Sequence, residues 1–182
     1  QVNDHIGESI LSLYETGAMS GLTEVLFIER CLNLLKPGGR MGIVLPEGVL
    51  NNTNLQKIRD FVESKAKIML VVSIPQDVFI ASGATVKPSL LFFRKFTEEE
   101  ATLYATITDD ARAEAVAPYL SELEDIDLKL ATRGKDAVSK EDKKRLKIRR
   151  KDIETIIETE TKKLVKERFD YQIPIAEVQK AG

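Results

Sequence analysis

From Leu22 to Phe96 the chain changes its hydrophobic rhythm several times. Leu22, Val25, Leu26, Ile28, Cys31, Leu32, Leu34 and Leu35 recur at helical spacing, which predicts a helix from Thr23 to about Leu35 with one wide apolar face. Pro37-Gly38-Gly39 stops it, because proline cannot extend a helix and glycine takes the left-handed closing conformation cheaply. Residues 40–45 are a short apolar run with β-branched members, suited to a strand buried on both faces, and Pro46 ends it. Helical spacing returns in 54–65 through Leu55, Ile58, Phe61 and Val62, and 68–74 is a second continuous apolar run closed by Pro75. Two solidly apolar strands around a helix predict a parallel βαβ unit. A third strand is expected over 89–96. Only about a dozen residues without helical period join it to the second, so an antiparallel return is expected.

Beyond Phe96 the pattern thins. Thr97 and Glu100 have capping-box spacing, and helical composition continues to about Leu130 with a break expected at Pro118. A polar turn at 132–139 contains Gly134, and Ser139 with Asp142 opens a second long helix to about Phe169. Val116, Leu120, Leu123, Ile126 and Leu130 on one arm, and Leu146, Ile153, Ile157 and Leu164 on the other, form narrow seams. That is an αα-hairpin, too thinly apolar to be an independent core. Before Leu22, Ile10, Leu11, Leu13 and Tyr14 suit one helical turn and 17–21 a loop.

Charge changes the picture of the hairpin. Glu122, Glu124, Asp125 and Asp127 close its first arm, whereas 140–151 carries eight basic residues against Glu141 and Asp142. Both placements oppose the helix macrodipole, so something else must favour them. Three explanations stand: pairing between the arms, a nucleic-acid backbone, or a partner subunit. Elsewhere composition mainly bounds the answer. With 182 residues and 43% apolar content the chain can bury one core with an appendage. A lone cysteine, Cys31, excludes an internal disulfide, suits a reducing, cytoplasmic compartment, and falls on the core face of the first helix. No apolar run is long enough for a membrane span. The start, QVNDHIGES, lacks the basic and apolar regions of a signal peptide, and without an initiator Met it suits a fragment. His5, the single histidine, has no neighbours at ligand spacing and makes no metal site.

The runs TEVLFIERCLNLLKPGGRMGIVLPEGVLNN and LQKIRDFVESKAKIMLVVSIPQDVFIASGATVKPSLLFFRK resemble the second half of the catalytic domain of adenine-specific DNA methyltransferases. The likeness is greatest to the modification subunit of type I restriction-modification systems. It covers about residues 22–96, and FDYQIPIAEVQKAG resembles a later segment of some such subunits. The resemblance implies an α/β fold: part of a Rossmann-like, S-adenosylmethionine-dependent methyltransferase sheet whose last strand runs antiparallel and inserts between the two before it. The expected divisions are 1–97 for this part, 98–170 for the hairpin and 171–182 for a tail. The family's glycine-rich donor turn and its Asn-Pro-Pro-aromatic clamp are not found in the sequence, so the segment is expected to be inactive alone.

What the resemblance implies for single residues is limited. Phe79 matches the aromatic placed against the flipped adenine, with a loop-anchoring phenylalanine as the alternative. Pro46, Glu47, Asn51 and Asn52 border the same pocket or serve only as caps and turns. Lys87, Lys143, Lys144, Arg145, Lys147, Arg149 and Arg150 are candidates for DNA phosphate. Expected partners are DNA and the specificity and restriction subunits, without a membrane. The other reading is a non-catalytic DNA- or subunit-binding assembly module. In either case a partial sheet leaves the strand at Met41–Leu45 with an apolar edge, expected to pair with a second copy or to be covered by the N-terminal residues.

Overall fold

The computed structural model describes residues 10–83, 86–134 and 138–180, the side chains of Ile10, Ala81 and Ser82 excepted; His5 lies outside the described residues. The chain divides into two units, Gln1–Ala101 with Gln172–Gly182, and Thr102–Tyr171.

In the first unit helix α1 spans Thr23–Leu34, and Gly38 takes the left-handed conformation (φ 73°) before strand β1, Arg40–Pro46. A five-residue helix α2, Glu47–Asn51, and a 3-10 turn lead to helix α3, Gln56–Glu63, and strand β2, Ala66–Ser73. A 3-10 segment, Gln76–Ser82, closed by Gly83 at φ 80°, leads to strand β3, Pro88–Lys95. β3 lies between β1 and β2 and runs antiparallel to both, so β1 and β2 are parallel. This is the strand set and order expected above. A fourth strand, β4 (Ile175–Glu177), pairs parallel with the far side of β2 through Val71, Val72 and Ser73. Three exposed residues, Ile-Ala-Glu, carry no strand pattern of their own, so the sequence reads them as tail.

Alternation along the strands sets the layers. Ile43 and Leu45 face the same way as Leu91, Phe93, Ile68 and Val71, and Ile28, Ile58 and Val62 of α1 and α3 come onto that side, around a cleft of about 250 Å³. The opposite side is more open: Val44 is 51% and Phe92 37% exposed. The phenylalanine ring lies over its cross-strand partner Gly42, where an added Cβ would meet it at 2.7 Å. β1 is therefore buried on one face and not on both. α1 also buries a narrower stripe than its spacing predicts, Val25, Ile28 and Leu32, while Leu22 and Leu34 are exposed and Cys31 is half-buried.

The expectation that the β1 edge is covered by the N-terminal residues or by a second copy falls partly on residues 1–9, which lie outside the described residues. Among the described residues β1 has β3 as its sole neighbour. The turn Thr16–Ala18 is held on α1 instead, by a buried carboxylate. Glu29 accepts hydrogen bonds from the Glu15 N–H (3.1 Å), the Thr16 N–H (2.8 Å) and the Thr16 hydroxyl (2.7 Å). Burial pushes this carboxyl up, but the donors outweigh it and hold it below the usual carboxylate range.

The second unit is built on helices. Helix α4, Glu98–Val116, gives way at Ala117–Tyr119 to a 3-10 turn containing Pro118, then helix α5 runs over Leu120–Ala131. Helix α6, Lys140–Arg168, starts where Ser139 accepts the Asp142 N–H at 3.0 Å. Ala115, Ile126, Ile153 and Ile157 form the buried seam, with Val116, Tyr119, Leu123, Leu130 and Leu146 packed against it. Leu120, expected in that seam, is 52% exposed. The small Ala111 and Ala115 are buried and let the helices approach closely.

Candidate functional site

The parallel pair sends the carboxyl ends of β1 and β2 to one side of the sheet, and antiparallel β3 begins there, with Pro46 opposite Pro88 and Ser73 opposite Ser89. Strand ends of this kind are where ligands of open α/β sheets bind. Three stretches meet at this end: residues 46–52 after β1, 75–83 after β2 and 86–88 before β3.

The first and third are tied together. The Glu47 N–H donates to the Lys87 carbonyl at 2.9 Å, and the Lys87 ammonium reaches Glu47 Oε1 at 3.2 Å. Lys87 is thus half-neutralised by a neighbour forty positions away in the chain, and a phosphate would have to compete for it. Asn52 performs turn chemistry: its Oδ1 accepts the Asn54 N–H at 2.9 Å, and its carbonyl accepts from Arg59 at 2.8 Å. Arg59 also donates to the Val49 carbonyl at 3.1 Å, which fixes α2 to α3. Asn51 ends α2 in an exposed position, and Pro46 is half-buried at the strand end.

The second stretch carries the apolar material. Phe79 lies in the 3-10 segment and is 37% exposed, between Val78 (36%) and Ile80 (60%), and Val86 on the return is 55% exposed. Single exposed apolar residues need no explanation, but several in one loop at a ligand-binding end do. The family resemblance points to Phe79 alone; Val78, Ile80 and Val86 stand in the same loop region, and only their exposure in the structure marks them.

A methyl donor finds no built pocket among these residues. The glycine turn at Gly38 precedes β1, at the other end of the strand, and the carboxylate at the near end, Glu47, is engaged by Lys87. The described residues do not fit the donor.

On the hairpin the basic stretch separates into two sets. Arg149 makes a two-pronged pair with Glu122 (2.7 and 3.0 Å), Arg150 joins Asp127 (2.8 Å) and Glu154, and Arg145 joins Glu141 (3.0 Å). The Glu122 carboxylate raises the Arg149 pKa and is itself lowered in return. Pairing between the arms therefore accounts for Arg149 and Arg150. Lys140, Lys144, Lys147 and Lys151 are exposed and Lys143 is half-buried, and none of the five makes an ion pair among the described residues.

Comparison with known proteins adds to this geometry. A model of the N-6 DNA Methylase family matches residues 13–182. The methylase subunit of the type I restriction enzyme EcoKI from Escherichia coli (strain K12) is 31% identical over 91 residues, covering 48% of this chain and 16% of that protein. The StySJI methylase subunit from Salmonella typhimurium (strain LT2) matches with the same identity, 31%, and the same shares, 48% and 16%. A solved class I S-adenosylmethionine-dependent methyltransferase from Listeria monocytogenes superposes with a TM-score of 0.42 at 23% identity, over 48% of this chain and 27% of that one. The chain thus spans 16% of the length of the two methylase subunits.

Proposed function

We propose that this chain, which belongs to the N-6 DNA methylase family, forms the target-base side of an adenine-specific DNA methyltransferase, the modification subunit of a type I restriction-modification system. The observation that carries this reading is the exposed Phe79, set with Val78 and Ile80 at the carboxyl end of β2.

The chemistry explains why such a surface is needed. The exocyclic amine of adenine is a poor nucleophile because its lone pair is delocalised into the ring, and in a duplex it is out of reach. An enzyme that methylates it must take the base out of the stack and hold the amine in line with the methyl group. S-adenosylmethionine, bound elsewhere in the parent protein, supplies that methyl group. Phe79 offers a π-face to the extruded base, worth about 1–3 kcal/mol for a base–aromatic stack. Val78, Ile80 and Val86 exclude water around it. Glu47 and Lys87 pin the start of α2 to the start of β3, which holds the rim of the loop. No group here forms a bond to substrate, and the isolated chain is expected to transfer no methyl group.

The specificity and restriction subunits are the partners this reading entails, in keeping with relatives that are methylase subunits of type I restriction enzymes. In the isolated chain the open edge of β1 is a place for a second copy to pair, visible as a dimer in sedimentation.

The test is Phe79→Ala in the full-length protein with its specificity subunit. Methyl transfer to duplex DNA is expected to fall about 10- to 100-fold, and Phe79→Tyr to keep most of it. Equal transfer by wild type and Phe79→Ala would return Phe79 to anchoring its loop.

A further inference from the structure

α6 carries a second surface that the target-base site does not use. Lys140, Lys144, Lys147 and Lys151 are spaced four, three and four residues apart, and Lys143 sits beside them, so the five share one face of the helix. Arg149 and Arg150 flank the buried seam of Ile153 and Ile157 and are taken by the acidic arm. The lysine face lies about a third of a turn from that seam. Lys140, Lys144, Lys147 and Lys151 are exposed and Lys143 is half-buried, and none of the five has a carboxylate partner among the described residues. Five like charges on one face repel each other, and at the N-terminal end of a helix they also oppose its macrodipole. Among the described residues of the hairpin no carboxylate pairs with them.

We infer that this lysine stripe is a docking surface for the phosphate backbone of DNA. The stripe runs for about 16 Å of helix at 1.5 Å per residue. A duplex presents one charge for about every 1.7 Å of its axis, so the phosphates along that length outnumber the lysines. Residue type decides between the two polyanions that fit a cationic stripe. Protein interfaces are depleted in lysine and favour arginine and aromatic residues. Phosphate backbones are met by lysine as a mobile point charge, without base readout. This stripe is all lysine, holds no aromatic residue, and leaves its neighbouring arginines engaged with the protein's own carboxylates. The choice of DNA over other nucleic acids rests on the methyltransferase reading above; the stripe itself does not.

The experiment uses the full chain and a fluorescent duplex of arbitrary sequence, titrated by anisotropy between about 50 and 200 mM KCl, where each neutralised phosphate contributes about −0.9 to the slope of log K on log salt. The variant replaces Lys143, Lys144, Lys147 and Lys151 with Gln, a good helix former, and circular dichroism checks that the helix persists. Its slope is expected to be shallower by about 3.6, with affinity down at least about 30-fold at the low-salt end. Lys144→Gln and Lys147→Gln singly are expected to remove about 0.9 each, which keeps the test open should the fourfold variant unfold. Arg149→Gln with Arg150→Gln is expected to change the slope by less than one such step.

An unchanged slope in the lysine variants would overturn the inference. So would polyglutamate of matched charge that binds as tightly as the duplex and responds to the same substitutions, which would assign the stripe to an acidic protein. A full-length protein that loses methyl transfer on Phe79→Ala while the lysine variants keep their slope would overturn the stripe alone and leave the target-base site standing.

Discussion

The two units solve the same problem with different materials. The sheet unit buries branched and aromatic side chains: Phe93 and Leu91 at 1% and 4% exposure on the central strand, with Ile28, Leu32 and Ile58 at 1% above them. The hairpin has a seam of four buried residues and closes around it with arginine–carboxylate pairs whose side chains are 34–59% exposed. Apolar burial is not screened by salt, whereas exposed ion pairs are weak and screened. The sheet unit should therefore depend on single core residues, and the hairpin on the sum of many small terms.

The largest expected effect breaks the sheet side of this contrast. Phe93 lies between Met41 and Ile68 in the register of the three main strands, and Phe93→Ala should cost about 3–5 kcal/mol by lost transfer energy and the cavity left behind. Hydrogen exchange should then speed up across residues 40–46, 66–73 and 88–95 together, because central β3 pairs with both neighbours. Exchange in α6 that rises as much as in the strands would deny that the units differ in what holds them.

The strands, α1 and the two long arms were legible because breakers and caps bracket them: Pro37-Gly38-Gly39, Pro46, Pro75, Pro118 and the Ser139–Asp142 cap all sit at element ends. The antiparallel third strand followed from a link too short for a crossover. Less legible were features whose meaning lies in a distant partner. Glu29 looks like an outward charge on α1 until Thr16 folds onto it. The Glu47–Lys87 tie joins residues forty positions apart. β4 is a strand only because β2 offers it an edge. At the candidate site, position was readable from the strand ends, but the division of labour between arginines and lysines on α6 was not. The lysine spacing is present in the sequence; which basic residues the acidic arm consumes depends on how the arms register.

A second, smaller effect separates partly buried charge from exposed charge. Thr97 and Glu100 form a reciprocal cap: the Thr97 N–H donates to Glu100 Oε2 at 3.0 Å, and the Glu100 N–H donates to Thr97 Oγ1 at 3.2 Å. Arg94 and Lys67 reach Glu100 Oε1 at 2.7 and 2.9 Å, and its side chain is 19% exposed. The Arg94 guanidinium, working against burial and joined by Lys67 and the Thr97 amide, holds the Glu100 carboxyl down at about 2 from an ordinary 4.5. A carboxyl with a lowered folded pKa stabilises fully above its unfolded value. The contribution should therefore be complete above about 4.5 and lost as pH falls from there towards 2, on the order of 2 kcal/mol. Urea midpoints of wild type and Glu100→Gln should differ most near pH 6 and converge near pH 2. A constant gap across that range would mean that the cap and not the charge does the holding.

The smallest effect belongs to the hairpin and tests the other half of the contrast. Arg149 and Glu122 form the best-aligned of its pairs, two parallel hydrogen bonds between side chains 48% and 41% exposed. Attraction there raises the arginine pKa and lowers that of the carboxyl, so the pair favours the folded hairpin, but water and ions reach both groups. A double-mutant cycle of Arg149→Gln and Glu122→Gln, read by thermal melting at 222 nm, should show a positive coupling at low salt that fades in about 1 M NaCl, where the Debye length is near 3 Å. The same cycle on Arg94 and Glu100 should keep most of its coupling, because those side chains are only 20% and 19% exposed. If both cycles lose their coupling equally, exposure is not what distinguishes the two units, and the apolar core of the sheet alone must carry the difference.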